Sequence, residues 1–170
     1  MMDTTAPSTA NFPQLALGYA HRRARVFWFW WMGMIFALPG LAQAGVLAAT
    51  GQSPENGLVL AVLGLVISGA GWLMAVGPRF TRTDPRPADD VNRAEQYVRI
   101  APGTAVGMIA AMLAIVVAIM IAAPRGTSPE VLPILAFLVA FPLPVAAGML
   151  YSAHLHRHRE RFYAGWLERR

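Results

Sequence analysis

Four apolar stretches without a charged residue constrain this 170-residue chain more than any other feature. They cover residues 26–49, 57–77, 101–123 and 131–153, and none of them contains Asp, Glu, Lys, Arg or His. A membrane-spanning helix needs about 20 mostly apolar residues to cross a hydrocarbon core of about 30 Å. The sequence therefore predicts an all-α integral membrane protein with four transmembrane helices, called spans one to four below.

The distribution of arginines predicts the orientation of these spans. All 14 basic residues are arginines, and only Arg125 lies between spans one and two or between spans three and four. Because cytoplasmic loops carry the excess of positive charge, both termini are expected in the cytoplasm, an N-in/C-in topology. The arginines of the cytoplasmic segments account for the net charge of +5, so this charge does not indicate a nucleic-acid partner, and none is expected.

The amino-acid composition also indicates the cellular location of the protein. The chain has no cysteine, which excludes disulfides and thiolate metal sites. The exclusive use of arginine is typical of high-GC bacterial genomes, and the N-terminus lacks a signal-peptide pattern. A bacterial inner membrane is the expected location, with an archaeal or organellar membrane left open.

One membrane domain is expected, flanked by two short polar segments. Residues 1–12 are small and polar and are predicted to be a disordered tail. Residues 13–153 form the four-helix domain, with a short interfacial helix before span one and a cytoplasmic loop at 78–100. Residues 154–170 mix arginines with aromatic side chains and are predicted to be a basic amphipathic tail on anionic lipid.

Aromatic and basic residues beside the spans are predicted to contact lipid headgroups. The block of Phe and Trp at residues 27–31 suits the membrane interface, because indole has an apolar body and a polar N–H. A stacking site for a quinone or pigment is the alternative for this block. The predicted headgroup contacts are Arg22, Arg23, Arg25, Arg157, Arg159, Arg161, Trp28, Trp30, Trp31 and Trp166.

Polar and helix-breaking residues inside the spans are candidate functional positions. Gln43 and Ser68 can make interhelical hydrogen bonds, and Gln43 is also a candidate substrate or ion contact. Pro142 and Pro144 interrupt span four near its middle, as in a structural kink or in the broken helices of transporter sites.

Small residues in span three predict close helix packing. Gly103, Gly107 and Ala111 recur every four residues, and a second row contains Ala110, Ala114, Ala118 and Ala122. Such rows let helix backbones approach closely in lipid. Span three is therefore expected to be the most buried helix, packed against another span or against a second copy of the chain.

The two halves of the chain share several short sequences. Gly33-Met34-Ile35 corresponds to Gly107-Met108-Ile109, and the sequence at Gly51 to Glu55 resembles that at Gly126 to Glu130. These matches fit a parallel duplication of one helical hairpin. Because Ser-Pro-Glu is also a favourable helix start, convergence explains the two loops equally well.

Three histidines follow span four, at positions 154, 156 and 158. On a helix His154 and His158 share one face, while His156 points elsewhere and His21 can approach from the segment before span one. Neighbouring arginines disfavour a metal ion, so solvated interfacial residues are expected, with a metal site or a pH-sensitive patch as alternatives. No catalytic residue, cofactor site or metal site is predicted.

The sequence favours a non-catalytic accessory subunit or assembly factor of a larger bacterial inner-membrane complex. The spans lack the ionisable residues of ion-coupled carriers and the histidines of transmembrane haem sites. A small oligomeric transporter or channel is the first alternative, and a membrane enzyme acting on a lipid or quinone is the second. The expected partners are anionic lipid and either other membrane subunits or further copies of the chain.

Overall fold

The computed structural model describes residues 11–76, 84–122 and 130–169. Within these ranges the chain forms helices and no strand. The helices are α1 (Phe12–Trp31), α2 (Met34–Ala49), α3 (Glu55–Val76), α4 (Val91–Ala122), α5 (Leu132–Ala140), α6 (Pro142–Arg157) and α7 (Arg159–Leu167).

Within the described ranges, four helical stretches are long and apolar enough to cross a membrane, which confirms the predicted all-α class and the four candidate spans. They are Phe12–Ala49, Glu55–Ala75, Val91–Ala122 and Leu132–Arg157. Most of the predicted disordered tail, the first part of the loop at 78–100 and the second hairpin loop with Ser128 lie outside the described residues.

Three helices continue well past the apolar stretches at one end of the bundle. α1 begins 14 residues before span one, α4 begins ten residues before span three, and α6 ends at Arg157. Hydropathy marks only the part of a helix that lipid can surround, whereas the hydrogen-bond ladder of the backbone extends through polar residues as well. We call this end, which carries Arg22, Arg93, Arg99 and Arg157, the basic end.

A tight turn joins α2 to α3 at the opposite end of the bundle. Gly51 has a φ of +73°, the left-handed conformation that glycine adopts without strain. The N–H of Gln52 donates to the carbonyl of Leu47 at 2.9 Å, and the Pro54 carbonyl accepts the first bond of α3 from Leu58. α3 thus begins at Glu55, just after the Ser-Pro pair in which the helix start was predicted.

Small residues form the interface between the first two spans. They alternate at spacings of four and three, and every member of both rows is buried. On the first span the row is Gly33, Ala37, Gly40 and Ala44, and it ends at the larger Leu47; on α3 it is Gly57, Ala61, Gly64, Ser68, Gly71 and Ala75. A Cβ on Gly40 would lie 2.7 Å from the backbone nitrogen of Ala61, so the two backbones are nearly in contact. The alternating spacing is that of left-handed helix packing.

Span three is the least buried of the four spans, so the expectation that it would be the most buried is wrong for the single chain. In its most apolar stretch 11% of the residues are buried, compared with 28% or 33% in the other spans. The close small-residue packing that we expected there occurs between spans one and two. Gly103, Gly107 and Ala111 are exposed, and among the described residues nothing outside the adjoining helix backbone lies within 4 Å of a Cβ placed on either glycine.

The spans follow one another across the bundle in the order two, one, four, three. α2 packs against α3 on one side and α5 on the other, and α6 packs against α4. A two-fold axis relating the two hairpins would also bring span two against span three. Among the described residues α3 and α4 form no extensive contact. The duplication therefore stays a prediction from the sequence.

Helix α7 packs against the first half of α1 through a cluster of aromatic side chains. Tyr163 is buried against Ala16 and Tyr19, and its ring centroid lies 5.2 Å from that of Phe12 and 5.9 Å from that of Tyr19. Trp166 stacks on Tyr163 at 5.8 Å. The segment predicted as an amphipathic tail is therefore packed onto the basic end of the bundle.

Candidate functional site

A loop crossing α1 brings the functional groups of the basic end together. The carbonyl of Arg86 lies directly against Gly18, where any Cβ would collide with it. The N–H of Ala88 donates to the carbonyl of Gln14 at 3.1 Å. This close approach places Asp90, at the start of α4, beside His21 of α1.

The resulting polar cleft has a volume of about 330 Å³. It is lined by His21, Ala24, Trp28, Asp90, Arg93, Ala94, Tyr97, Ser152 and His156. Three helices, α1, α4 and α6, contribute to it. A volume of this size lies at the lower end of the range for small-molecule sites, which combine apolar walls with a few polar groups.

Two histidines from different helices meet in the polar cleft. The ring centroids of His21 and His156 are 5.0 Å apart, and His156 is only 6% exposed. His156 Nδ1 lies 2.7 Å from the Ser152 carbonyl oxygen. Because a carbonyl can only accept, Nδ1 carries the proton, which leaves Nε2 as the acceptor of the neutral ring. His21 Nδ1 is 3.8 Å from an oxygen of Asp90.

Hydrogen bonds across the polar cleft tie α1 and α4 to α6. The indole Nε1 of Trp28 donates to Ser152 Oγ at 2.9 Å, and the Tyr97 hydroxyl donates to the Met149 carbonyl at 3.2 Å. Trp28 fits because Gly148 has no side chain: a Cβ there would lie 2.5 Å from the indole ring. Every fully buried side-chain nitrogen or oxygen of the described residues has a hydrogen-bond partner.

The side chains of the polar cleft can form hydrogen bonds and exchange protons with a ligand. The cleft contains a guanidinium, two imidazoles, a phenol and a carboxylate. Together these groups can hold a polar headgroup at the end of the bundle. Across the described ranges, no group of three or more His, Cys, Asp or Glu side chains is placed to hold a metal ion.

The predicted histidine cluster divides into two parts. His154 and His158 are exposed and share a face, with ring centroids 4.6 Å apart, as the helical spacing predicts. His156 is buried and is not a solvated residue, because α1 covers it. The spacing of the histidines alone could not reveal this, since it depends on how α1 packs on α6.

The two prolines of span four lie at a break between two helices and are buried by neighbouring helices. Pro142 and Pro144 are both fully buried, at the junction where α5 ends and α6 begins. The indole of Trp31 donates to the Pro144 carbonyl at 2.6 Å. The Pro144 carbonyl lies inside α6, where the Gly148 N–H is its helical partner, so the indole adds a second donor and ties α1 to α6. The choice between a structural kink and a transporter site stays a prediction.

The polar residues of the first two spans lie apart from the polar cleft. The Ser68 hydroxyl is buried and donates to the Trp30 carbonyl, joining α3 to α1 as an interhelical hydrogen bond. Gln43 is half-buried on α2, the helix whose far end leads into the tight turn. Its predicted role as a substrate or ion contact stays a prediction.

The predicted headgroup residues make contacts within the protein. Trp28 and Trp31 donate to α6, and Trp30 packs edge-on against Phe27 and Trp31. The guanidinium of Arg23 lies 5.2 Å from the Phe162 ring, and that of Arg22 lies 5.8 Å from the Trp166 ring. These contacts hold the arginines at the surface of the basic end, and their binding of lipid headgroups stays a prediction.

Comparison with models of protein families, with curated proteins and with solved structures finds no match to this chain.

Proposed function

We propose that the protein is a non-catalytic accessory subunit or assembly factor of a larger bacterial inner-membrane complex. The observation that carries this proposal is the exposed small-residue face of α4, formed by Gly103, Gly107 and Ala111. Within this chain α4 packs mainly against α6, so this face is turned away from the rest of the bundle. In a bilayer, rows of small residues are favoured where one helix meets another.

A second property of the bundle supports the same role. The aromatic cluster and the polar network at the basic end join α1, α4, α6 and α7 into a rigid cap. A rigid cap with an exposed helix at the edge of the bundle is suited to holding a partner in one orientation.

The proposal is tested by blocking the face of α4. Tagged wild-type protein, a Gly103→Leu/Gly107→Leu variant and a Gly69→Leu control are extracted in mild detergent and purified. Gly69 is also an exposed glycine on a span, and among the described residues nothing outside the adjoining helix backbone lies within 4 Å of an added Cβ. We expect a larger partner protein to co-purify in a fixed ratio with the wild type and with the control. The same partner should be absent from the purified double variant. Equal recovery in all three would contradict the proposal.

The orientation of the chain is part of this proposal. We infer that both termini and the basic end face the cytoplasm of a bacterial inner membrane. Support comes from the thirteen arginines that lie outside the two hairpin loops and from the packing of α1, α4 and α6 at one end.

The polar cleft favours a second candidate, a membrane enzyme acting on a lipid or quinone. A ring-shaped headgroup would lie against Trp28 and within reach of His21 and Tyr97. A short-chain ubiquinone analogue should then quench Trp28 fluorescence saturably, and the saturable part should disappear in Trp28→Phe. Quenching that rises linearly in wild type would exclude this candidate.

A further inference from the structure

A second cleft lies at the basic end, where the start of α4 faces the junction of α6 and α7. It has a volume of about 700 Å³. We call it the arginine cleft. Its charged residues are Glu95, Arg99, Arg157, Arg159, Glu160 and Arg161.

The arginine cleft carries an excess of positive charge. Four arginines and two glutamates give it a formal charge of +2 (four minus two). Like charges held in a concave site repel one another and raise the local concentration of anions. The excess charge therefore favours an anionic ligand of compact shape.

One ion pair fixes the wall of the arginine cleft. Arg159 Nη2 lies 3.6 Å from Glu95 Oε1, and the side chain of Arg159 is only 17% exposed. Glu95 thus neutralises and orients Arg159 and ties α7 to α4. With that pair neutral, the three remaining arginines and Glu160 leave the formal charge of +2 (three minus one). The three arginines are Arg99, Arg157 and Arg161.

The fold places these three arginines at the edge of the apolar spans. Arg99 lies two residues before the apolar stretch that begins at residue 101, and Arg157 lies four residues after the one that ends at 153. The chain then turns at His158, which has φ −106° and ψ 25°, so that Arg161 comes from a separate helix. Arginines this close to the end of an apolar stretch are expected at the level of the phosphates of a bilayer.

We propose that the arginine cleft binds one phosphate group, that of an anionic phospholipid headgroup. Arginine is suited to this ligand, because its planar guanidinium donates two parallel hydrogen bonds to phosphate oxygens. The cleft volume lies within the range that accommodates small-molecule groups of this size. The proposal does not depend on the accessory role, since a transporter or an enzyme could bind a structural lipid in the same way.

The test uses the full chain in detergent, with native mass spectrometry to count bound lipids. Phosphatidylglycerol, phosphatidylcholine and inorganic phosphate are added separately, and then phosphatidylglycerol is added with inorganic phosphate as competitor. We expect one phosphatidylglycerol molecule bound in preference to phosphatidylcholine, without displacement by phosphate. Tight binding of inorganic phosphate alone would support the same site but assign it to a soluble ligand.

A charge-matched pair of variants separates the arginine cleft from general attraction to a basic surface. Arg99→Gln/Arg161→Gln removes the formal charge of +2 from the cleft, while Arg86→Gln/Arg169→Gln removes two exposed arginines elsewhere. We expect at least about a tenfold loss of phosphatidylglycerol affinity in the first variant only, since each arginine near an anionic surface contributes about fivefold.

Equal losses in both variants, or binding to neither phosphatidylglycerol nor phosphate in wild type, would overturn the proposal. Circular dichroism checks that each variant is folded. If the cleft variant does not fold, Arg161→Gln is compared with Arg161→Lys, and the lysine variant should retain more affinity than the glutamine variant because it keeps the charge.

Discussion

Single glycines decide whether the first two spans can meet. A Cβ on Gly64 would lie 2.5 Å from the backbone nitrogen of Ala37 and 2.6 Å from the carbonyl oxygen of Gly33. Backbone atoms cannot move aside as the end of a side chain can. The whole interface must therefore open to admit one methyl group, and this makes it more sensitive to added volume than to lost volume.

Gly64→Ala should therefore destabilise the bundle, whereas Gly69→Ala should not. We expect a loss of about 1–3 kcal/mol at Gly64, because packed interfaces tolerate added volume poorly. At Gly69, where the structure leaves open space, alanine should be neutral or stabilising by up to about 1 kcal/mol through its helix propensity. Unfolding in a mixed-micelle titration with dodecyl sulfate, followed by circular dichroism, measures both. Similar losses at the two positions would show that α2 and α3 do not pack as described.

Trp31 should stabilise the break in span four through one hydrogen bond. Trp31→Phe keeps an aromatic ring but removes the N–H that reaches the Pro144 carbonyl. Because the carbonyl keeps its helical N–H partner, loss of the indole bond should cost only about 0.5–1.5 kcal/mol in the same titration. Trp30→Phe is the control, since the interhelical bond of Trp30 to Ser68 is made by its backbone carbonyl. An equal cost for both variants would mean that ring size, not the hydrogen bond, determines stability.

Individual residues in the sequence indicated some contacts and not others. The helical spacing of His154 and His158 predicted their shared face, because it depends only on local geometry. The burial of His156, the bond from Trp31 and the polar cleft depend on which helices become neighbours. No single residue type carries that information, so these contacts could not be predicted from the sequence.

Aromatic packing against α1 contributes to the position of helix α7, in addition to any contact with lipid. Tyr163 is 6% exposed between Phe12, Ala16 and Tyr19, whereas Leu167 at the end of the same helix is 43% exposed. The helix has nine residues, too few to be stable alone in water. Its order should therefore follow from the contact with α1.

Tyr163→Ala should release α7 while leaving the four spans intact. Loss of a buried aromatic ring removes several kcal/mol of contact, so amide exchange across Arg159–Leu167 should accelerate by at least about tenfold. Exchange in α2 and α3 should be unchanged, and Leu167→Ala should resemble wild type. Hydrogen–deuterium exchange in detergent makes the comparison. Protection of α7 that persists in Tyr163→Ala would indicate that lipid or detergent, and not α1, holds this helix.

Hydropathy predicted where the four candidate spans lie in the sequence, but it did not predict which helices pack against one another. Charge-free stretches located all four membrane helices, because lipid imposes their length and composition. Span three was expected to be central on the strength of its four-residue repeat. The repeat that forms the interface has alternating spacings of four and three, which keep one face toward a neighbour, and it occurs in spans one and two.

The proposed orientation of the whole molecule makes a simple prediction. Reporter fusions at Ser53 and Ser128 should map outside the cell, and fusions at Ala88 and Arg170 should map inside. The arginines of the basic end are the physical reason, because they resist transfer across the bilayer. A reporter at Ala88 that maps outside would reverse the orientation and remove the proposed cytoplasmic cap.

The mass of the native complex tests the central claim most directly. The full chain of 18.4 kDa, tagged and expressed at its natural level, is extracted in mild detergent and measured by native mass spectrometry. The accessory role predicts a mass that is no multiple of the chain, with larger subunits present in fixed ratio. A mass equal to one or several copies of the chain alone would contradict that role and favour the small oligomeric transporter or channel.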